Sequence, residues 1–127
     1  MDVVMTGPYG RCGTAVIDHL HDDSTYEFTY LNRSDRPDGH PYGHLETVIG
    51  DVADADVVSR AFEEQGAAIH MAAYPYTDGT WADIFEPNLI GMYNALEAAR
   101  KHEVEKFVFL SSNHVMGQYE TEHSPEL

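Results

Sequence analysis

Short apolar runs alternate with helical patterns along the whole chain. Val3-Val4-Met5 is followed, after a turn, by Thr14 to Leu20, whose apolar positions recur at helical spacing. Tyr26 to Leu31 is a second β-rich run, and the polar stretch from Asn32 to His44, with its prolines, glycines and charges, reads as a loop. Thr47-Val48-Ile49-Gly50 predicts a third strand. Asp54 then opens a helix over Ala55 to Gln65, with Val57, Val58, Ala61 and Phe62 on one face and Gly66 as its stop. Ala67 to Ala73 predicts a buried fourth strand, and Tyr74 to Trp81 a polar loop. Glu86 to His102 predicts a long helix whose inner stripe would be Leu89, Ile90, Tyr93, Leu96 and Ala99. Lys106 to Leu110 is a fifth strand, and Ser111-Ser112-Asn113-His114 leaves its carboxyl end.

Strands that alternate with helices imply right-handed βαβ units and a parallel sheet covered on both faces, a doubly wound α/β fold of Rossmann type. Such sheets bind ligands outside the carboxyl ends of the strands, near the point where strand order reverses. The turn after the first strand, Asn32 to Asp35, Asp51, His70 to Tyr74 and Ser111 to His114 all fall at those ends, so one crevice would gather them. The sequence shows no internal repeat, low-complexity tract or second domain.

The turn after the first strand carries the most specific chemistry. Thr6-Gly7-Pro8-Tyr9-Gly10-Arg11-Cys12-Gly13 places three glycines three residues apart between a β-branched strand and a helix start. Gly7 lets the chain turn off the strand, Gly10 lets backbone N–H groups approach a pyrophosphate, and Gly13 lets the helix lie close on the sheet. Residues from Gly7 through Tyr9, Gly10, Arg11 and Cys12 to Gly13 are thus candidates for a dinucleotide cradle. About 20 residues beyond the last glycine, where a ribose-reading side chain is expected, stand Asn32, Arg33 and Ser34, with Asp35 after them. An arginine there suits a 2′-phosphate, so the expectation leans to NADP with NAD tolerated.

With these residues placed, the chain resembles the extended short-chain dehydrogenase/reductase superfamily of NAD-dependent epimerases, dehydratases and sugar dehydrogenases, from Val3 to about Tyr119. By that resemblance Asp51-Val52 is the adenine-contacting position, His70-Met71-Ala72-Ala73 the signature of the fourth strand with Ala72 and Ala73 against the cofactor, and Asn88 the helix asparagine, also against the cofactor. Ser111-Ser112-Asn113-His114-Val115-Met116-Gly117 is similar to the Ser-Ser-Asn-His segment of uronate dehydrogenases and related sugar dehydrogenases. The resemblance implies Ser112 as the catalytic serine, Asn113 and His114 as groups facing a sugar or sugar acid, and Tyr74 beside the substrate. The Tyr74-Pro75-Tyr76-Thr77-Asp78 loop is bulkier than in the uronate enzymes, which leaves another sugar open. A nucleotide-sugar epimerase or dehydratase, or a dinucleotide-binding fragment without catalysis, are the alternatives.

The reaction implied for a complete member is hydride transfer from a sugar carbon to nicotinamide, with a lysine-assisted tyrosinate as base. No Tyr-x-x-x-Lys pair occurs in the 127 residues; Tyr119, with His123 four residues on, is the only tyrosine after Ser112. The expectation is therefore an N-terminal portion, one dinucleotide-binding domain over residues 1–127 that stops after its fifth strand and has no turnover by itself. It also predicts apolar surface left under-covered on the 86–102 helix and on the open side of the fifth strand, with a homodimer through that helix.

Composition narrows the setting. Asp and Glu number 22 against 7 Lys and Arg, a formal −15, which argues against nucleic acid as a partner. A dispersed acidic surface with only two lysines is what halophilic cytoplasmic proteins carry, and also what an acidic mesophile protein can carry. No apolar run is long enough to span a membrane, and no signal peptide is visible, so a soluble cytoplasmic protein is expected. Cys12 is the only cysteine and cannot form an intramolecular disulfide; it reads as a low-pKa thiol at a helix start or as a small residue in a crowded loop. The eight histidines, among them His19, His21, His40, His44, His70 and His114, show no zinc-ligand spacing, and no metal is expected.

Overall fold

A computed structural model describes residues 1–35, 38–39, 45, 47–76, 78–112 and 115. Five parallel strands form one sheet in the order β3-β2-β1-β4-β5: β1 (Asp2–Thr6), β2 (Glu27–Asn32), β3 (Thr47–Ile49), β4 (Ala67–His70) and β5 (Lys106–Phe109). The chain steps outward from β1 to β3, returns across the sheet to β4, and continues to β5. The order reverses between β1 and β4, whose last residues, Thr6 and His70, are register partners. This is the Rossmann-type doubly wound arrangement, whose members bind ligands outside the carboxyl ends of the strands at such a reversal.

Helices cover both faces. Helix α1 (Arg11–Leu20) lies on one face, where Ile17 packs with Met5 and Tyr30. Helices α2 (Ala55–Ala61) and α4 (Gly91–Lys101) lie on the other, around Val4, Leu31, Val58, Phe62, Ala68 and Ala95. Alternation along β1 sends Val4 and Met5 to opposite faces, so the strand is buried on both sides and reads as an unbroken apolar run.

Three boundaries differ from the sequence reading, each for a local reason. Strand β4 ends at His70 rather than Ala73, because the Thr6 side chain accepts hydrogen bonds from Met71 N–H and Ala72 N–H, both at 3.2 Å, and draws the chain off the ladder. Helix α2 ends at Ala61, short of Gln65, in a turn where Glu64 takes a φ of 62°. The long helix begins earlier, as α3 (Trp81–Phe85) behind a Thr80–Asp83 capping box, and passes through a π-helical turn at Glu86–Ile90 before α4. Pro87 sits in that turn, where a wider coil relieves the clash a proline ring makes in an α-helix.

The predicted inner stripe holds at Ala99 but not at Leu89, Tyr93 and Leu96: the buried face of α4 is Gly91, Asn94, Ala95, Ala98 and Ala99. These small residues let the helix approach the sheet closely. Leu89, Tyr93 and Leu96 are left exposed, at 48%, 63% and 45%. Val108, Phe109 and Leu110 at the β5 edge are exposed as well, so the under-covered apolar surface is present, although on the helix it is not the face packed on the sheet.

Candidate active site

The glycine turn fills the gap between the carboxyl end of β1 and the amino end of α1. Gly7 takes a φ of 70°, and a Cβ there would lie 2.9 Å from the Ala72 nitrogen, so both backbone and space demand glycine. Gly13 is buried under the loop itself, where a Cβ would fall 2.4 Å from the Gly7 and Pro8 carbonyl oxygens. Its close packing is against the turn rather than the sheet.

Gly10 is different. Its backbone is extended (φ −74°, ψ 171°), a conformation any residue adopts, and a Cβ would meet only the Gly7 oxygen at an ordinary 3.5 Å. Nothing in the protein's own packing requires glycine there. The space a side chain would take lies before the first turn of α1, which opens with no side-chain cap and with its first N–H groups unpaired within the helix. That is the requirement of a phosphate brought against a helix N-terminus, so the residues fit a dinucleotide pyrophosphate.

Around this turn the other predicted residues take distinct places. Arg11 and Cys12 are exposed in the first turn of α1. The Tyr9 side chain turns away, its hydroxyl bonded to the Thr47 hydroxyl beside Tyr30 on the α1 face of the sheet, which leaves only the Tyr9 backbone in the glycine turn. Burial pushes the Tyr30 hydroxyl up to about 12, with Tyr9 adding to the shift. Asn32 ends β2 and donates to the Ser34 carbonyl at 2.7 Å, which shapes the turn that exposes Arg33 and Ser34.

The Asp51 carboxylate accepts from Ala53 N–H at 2.9 Å and so shapes the turn after β3. The Val52 side chain is buried in the core, against Gly91, and offers only its backbone to a ligand. Ala72 is half-buried and Ala73 exposed in the loop after β4. Asn88 bonds the Tyr74 backbone with both ends of its amide: Oδ1 accepts from Tyr74 N–H at 2.7 Å, and Nδ2 donates to the Tyr74 carbonyl at 3.4 Å. Its amide is thus committed to the protein, and it acts on the crevice by holding that loop.

Ser112 is exposed beyond β5, and its carbonyl accepts from Val115 N–H at 3.2 Å. Leu110 N–H donates to the His70 carbonyl at 3.0 Å, which ties the β5 end carrying Ser112 to the β4 end carrying Tyr74. Asn113, His114, Tyr119 and His123 lie outside the described residues, as do His40 and His44. Among the described residues no group of three His, Cys, Asp or Glu is placed to hold a metal ion, and no helix is long and apolar enough to cross a membrane.

Three further residues matter at the site. Thr6 Oγ1 lies 2.8 Å from His70 Nδ1 across the reversal point, and burial pulls the His70 imidazole down to about 4. Asn94, nine-tenths buried, donates to the Val52 and Ala53 carbonyls, both at 3.0 Å, and pins the Asp51 turn to α4. A polar residue among the glycine and alanines of a helix's packing face is the signal that marks Asn94.

A profile of the NAD dependent epimerase/dehydratase family matches residues 3–126. The chain is 33% identical over 117 residues to the L-arabinose 1-dehydrogenase (NAD(P)(+)) of Haloferax volcanii, covering 92% of this chain and 43% of that protein. It is 34% identical over 129 residues to the NAD-dependent glucose-6-phosphate dehydrogenase of the same organism, covering 98% and 48%. Among solved structures, a uronate dehydrogenase from Agrobacterium tumefaciens complexed with NAD superposes with a TM-score of 0.75 at 29% identity, over 89% of this chain and 41% of that one. The chain therefore spans less than half the length of these relatives. With the family profile matching nearly the whole chain, the chain belongs to the NAD dependent epimerase/dehydratase family.

Proposed function

We propose that this chain holds NAD or NADP across the carboxyl ends of β1 and β4, as the dinucleotide-binding part of a dehydrogenase that oxidises a sugar. The observation that carries this reading is Gly10, a glycine that neither backbone nor packing requires and whose missing side chain leaves room at an open helix N-terminus. The turn from Gly7 to Gly13 would face the pyrophosphate, Asn32, Arg33 and Ser34 the adenosine ribose, Asp51 the adenine, and Ala72 and Ala73 the middle of the cofactor. Bound nicotinamide supplies the hydride acceptor. Ser112 would orient the reacting hydroxyl, with Asn113 and His114 on the sugar.

Arg33, exposed at the end of β2, favours NADP over NAD by pairing with a 2′-phosphate. The 127 residues hold no Tyr-x-x-x-Lys pair, so the chain alone binds cofactor and does not turn over. The exposed Leu89, Tyr93 and Leu96 stripe supports pairing of two copies through that helix. The acidic, lysine-poor composition supports a salt-rich cytoplasm, where screening lowers self-repulsion.

Titrating NAD and NADP separately into the purified chain, and into Arg33→Ala, tests the reading. Both cofactors should bind, NADP more tightly, and the substitution should lower the NADP to NAD affinity ratio. Absence of binding by either cofactor defeats the dinucleotide assignment, and an unchanged ratio defeats the role of Arg33.

A further inference from the structure

We propose that Asp78, tethered to Tyr74, selects the charge of the sugar at this site, admitting neutral sugars and rejecting anionic ones. The inference rests on the sugar-dehydrogenase reading above and adds the substrate's charge to it.

Tyr74 is held at three points. Asn88 pairs with its backbone N–H and carbonyl. The ring sits on Gly79, where a Cβ would fall 2.6 Å from Tyr74 Cε1. The hydroxyl donates to Asp78 Oδ1 at 3.0 Å, and that bond, followed by burial and the charges of Asp78 and Asp83, raises the phenol above its ordinary range. Tyr74 therefore stays protonated, and its hydrogen is directed to the carboxylate.

The loop's position brings this pair to the substrate side. Tyr74 stands four residues past His70, and Ser112 two residues past Leu110, on neighbouring strand ends joined by the Leu110 to His70 bond. A carboxylate fixed at such a rim accepts charge-assisted hydrogen bonds from the hydroxyls of a neutral sugar. Against a uronate or a sugar phosphate it presents a like charge, and selection by repulsion needs no added contact. Nothing on the loop offsets it: from Tyr74 to Glu86 the sequence holds Asp78, Asp83 and Glu86 and no Lys, Arg or His. Asp83 is engaged by the Thr80 N–H and hydroxyl, at 2.8 and 2.6 Å, so Asp78 is the aspartate of this loop that is tied to Tyr74.

The test is sugar binding to the chain saturated with NADH, by calorimetry, with L-arabinose, D-glucuronate and glucose 6-phosphate as probes, in the native chain and in Asp78→Asn. Asp78 is exposed, and asparagine can still accept from Tyr74, so the variant should fold. Arabinose should bind on the order of tenfold more tightly than either anion, the size of one screened unit-charge repulsion. Asp78→Asn should close most of that gap by tightening the anions. Glucuronate or glucose 6-phosphate binding as tightly as arabinose in the native chain, a ratio unchanged by Asp78→Asn, or no sugar binding to the NADH complex would each overturn the inference. Failure to bind NADH would instead defeat the parent reading, and this one with it.

Discussion

The Thr6 hydroxyl and the His70 ring meet where strand order reverses, and the proton between them has one direction. Thr6 Oγ1 accepts from Met71 N–H and Ala72 N–H, which occupies its two lone pairs, so it donates its own hydrogen to His70 Nδ1 at 2.8 Å. Nδ1 is therefore bare and the ring neutral, with Phe107 and Phe109 at 6.2 and 6.1 Å centroid distance. Burial, which holds the imidazole near 4, and the hydrogen-bond pattern agree on the same protonation state.

Stability should fall in acid for this reason. Unfolded, His70 titrates near 6.5, and folded near 4, so between those values the unfolded chain binds the extra proton. His70 leaves stability undiminished above about pH 6.5, and stability is lost progressively as pH falls towards 4. The full loss is about 3 kcal/mol. Urea unfolding at pH 7.5 and 4.5, compared with His70→Gln, which accepts from Thr6 without titrating, isolates the effect. The variant should lose much of the native chain's pH dependence; equal slopes would contradict the assignment.

Asn94→Ala should destabilise by about 1–3 kcal/mol, because it strands the buried Val52 carbonyl and the half-buried Ala53 carbonyl. It should also weaken dinucleotide binding through the Asp51 turn. Urea unfolding beside cofactor titration checks both, and unchanged stability would show that water replaces the amide.

Leu96→Glu should reduce self-association, since it places a charge in the exposed stripe with Leu89 and Tyr93 without touching the packed face of α4. Sedimentation of both forms reads this directly. Retained association in the variant would move the contact elsewhere, such as to Val108, Phe109 and Leu110.

The sheet was legible because its signal is strong and local. Val3 to Met5, Tyr26 to Leu31 and Ala67 to His70 are apolar runs between turn signals, and parallel strands buried on both faces have that form. The turn off β1 was legible for the same reason, since Gly7 and Gly13 answer steric demands of the fold itself, whereas Gly10 answers none of the fold's own. What escaped depends on contacts between distant segments. Thr6 draws Met71 and Ala72 off the strand across 65 and 66 residues, and no window over β4 contains it. The stripe on α4 went astray because the face that packs on the sheet is made of small residues, Gly91, Ala95 and Ala98, rather than of the large apolar ones that mark a buried face in a sequence. Tyr9 and Asn88 were assigned to the cofactor by position, yet their side chains bind Thr47 and Tyr74, partners only the fold reveals.

Replacing Gly10 and Gly13 in turn separates the two uses of glycine in one turn. Gly13→Ala should destabilise the fold, since its Cβ would fall 2.4 Å from two backbone oxygens that cannot move aside without opening the turn. Gly10→Val should leave the melting temperature and circular dichroism near those of the native chain, since its backbone is ordinary and its Cβ would meet only the Gly7 oxygen at 3.5 Å.

Calorimetric titration of NAD and NADP into the native chain and Gly10→Val, both shown to be folded, tests whether the space beside Gly10 takes the pyrophosphate. Binding in the native chain and its loss in Gly10→Val, on the order of a hundredfold or more in affinity as the side chain takes the pyrophosphate's place, is the expected result. Equal affinity in the two folded proteins, or no binding in the native one, would contradict it.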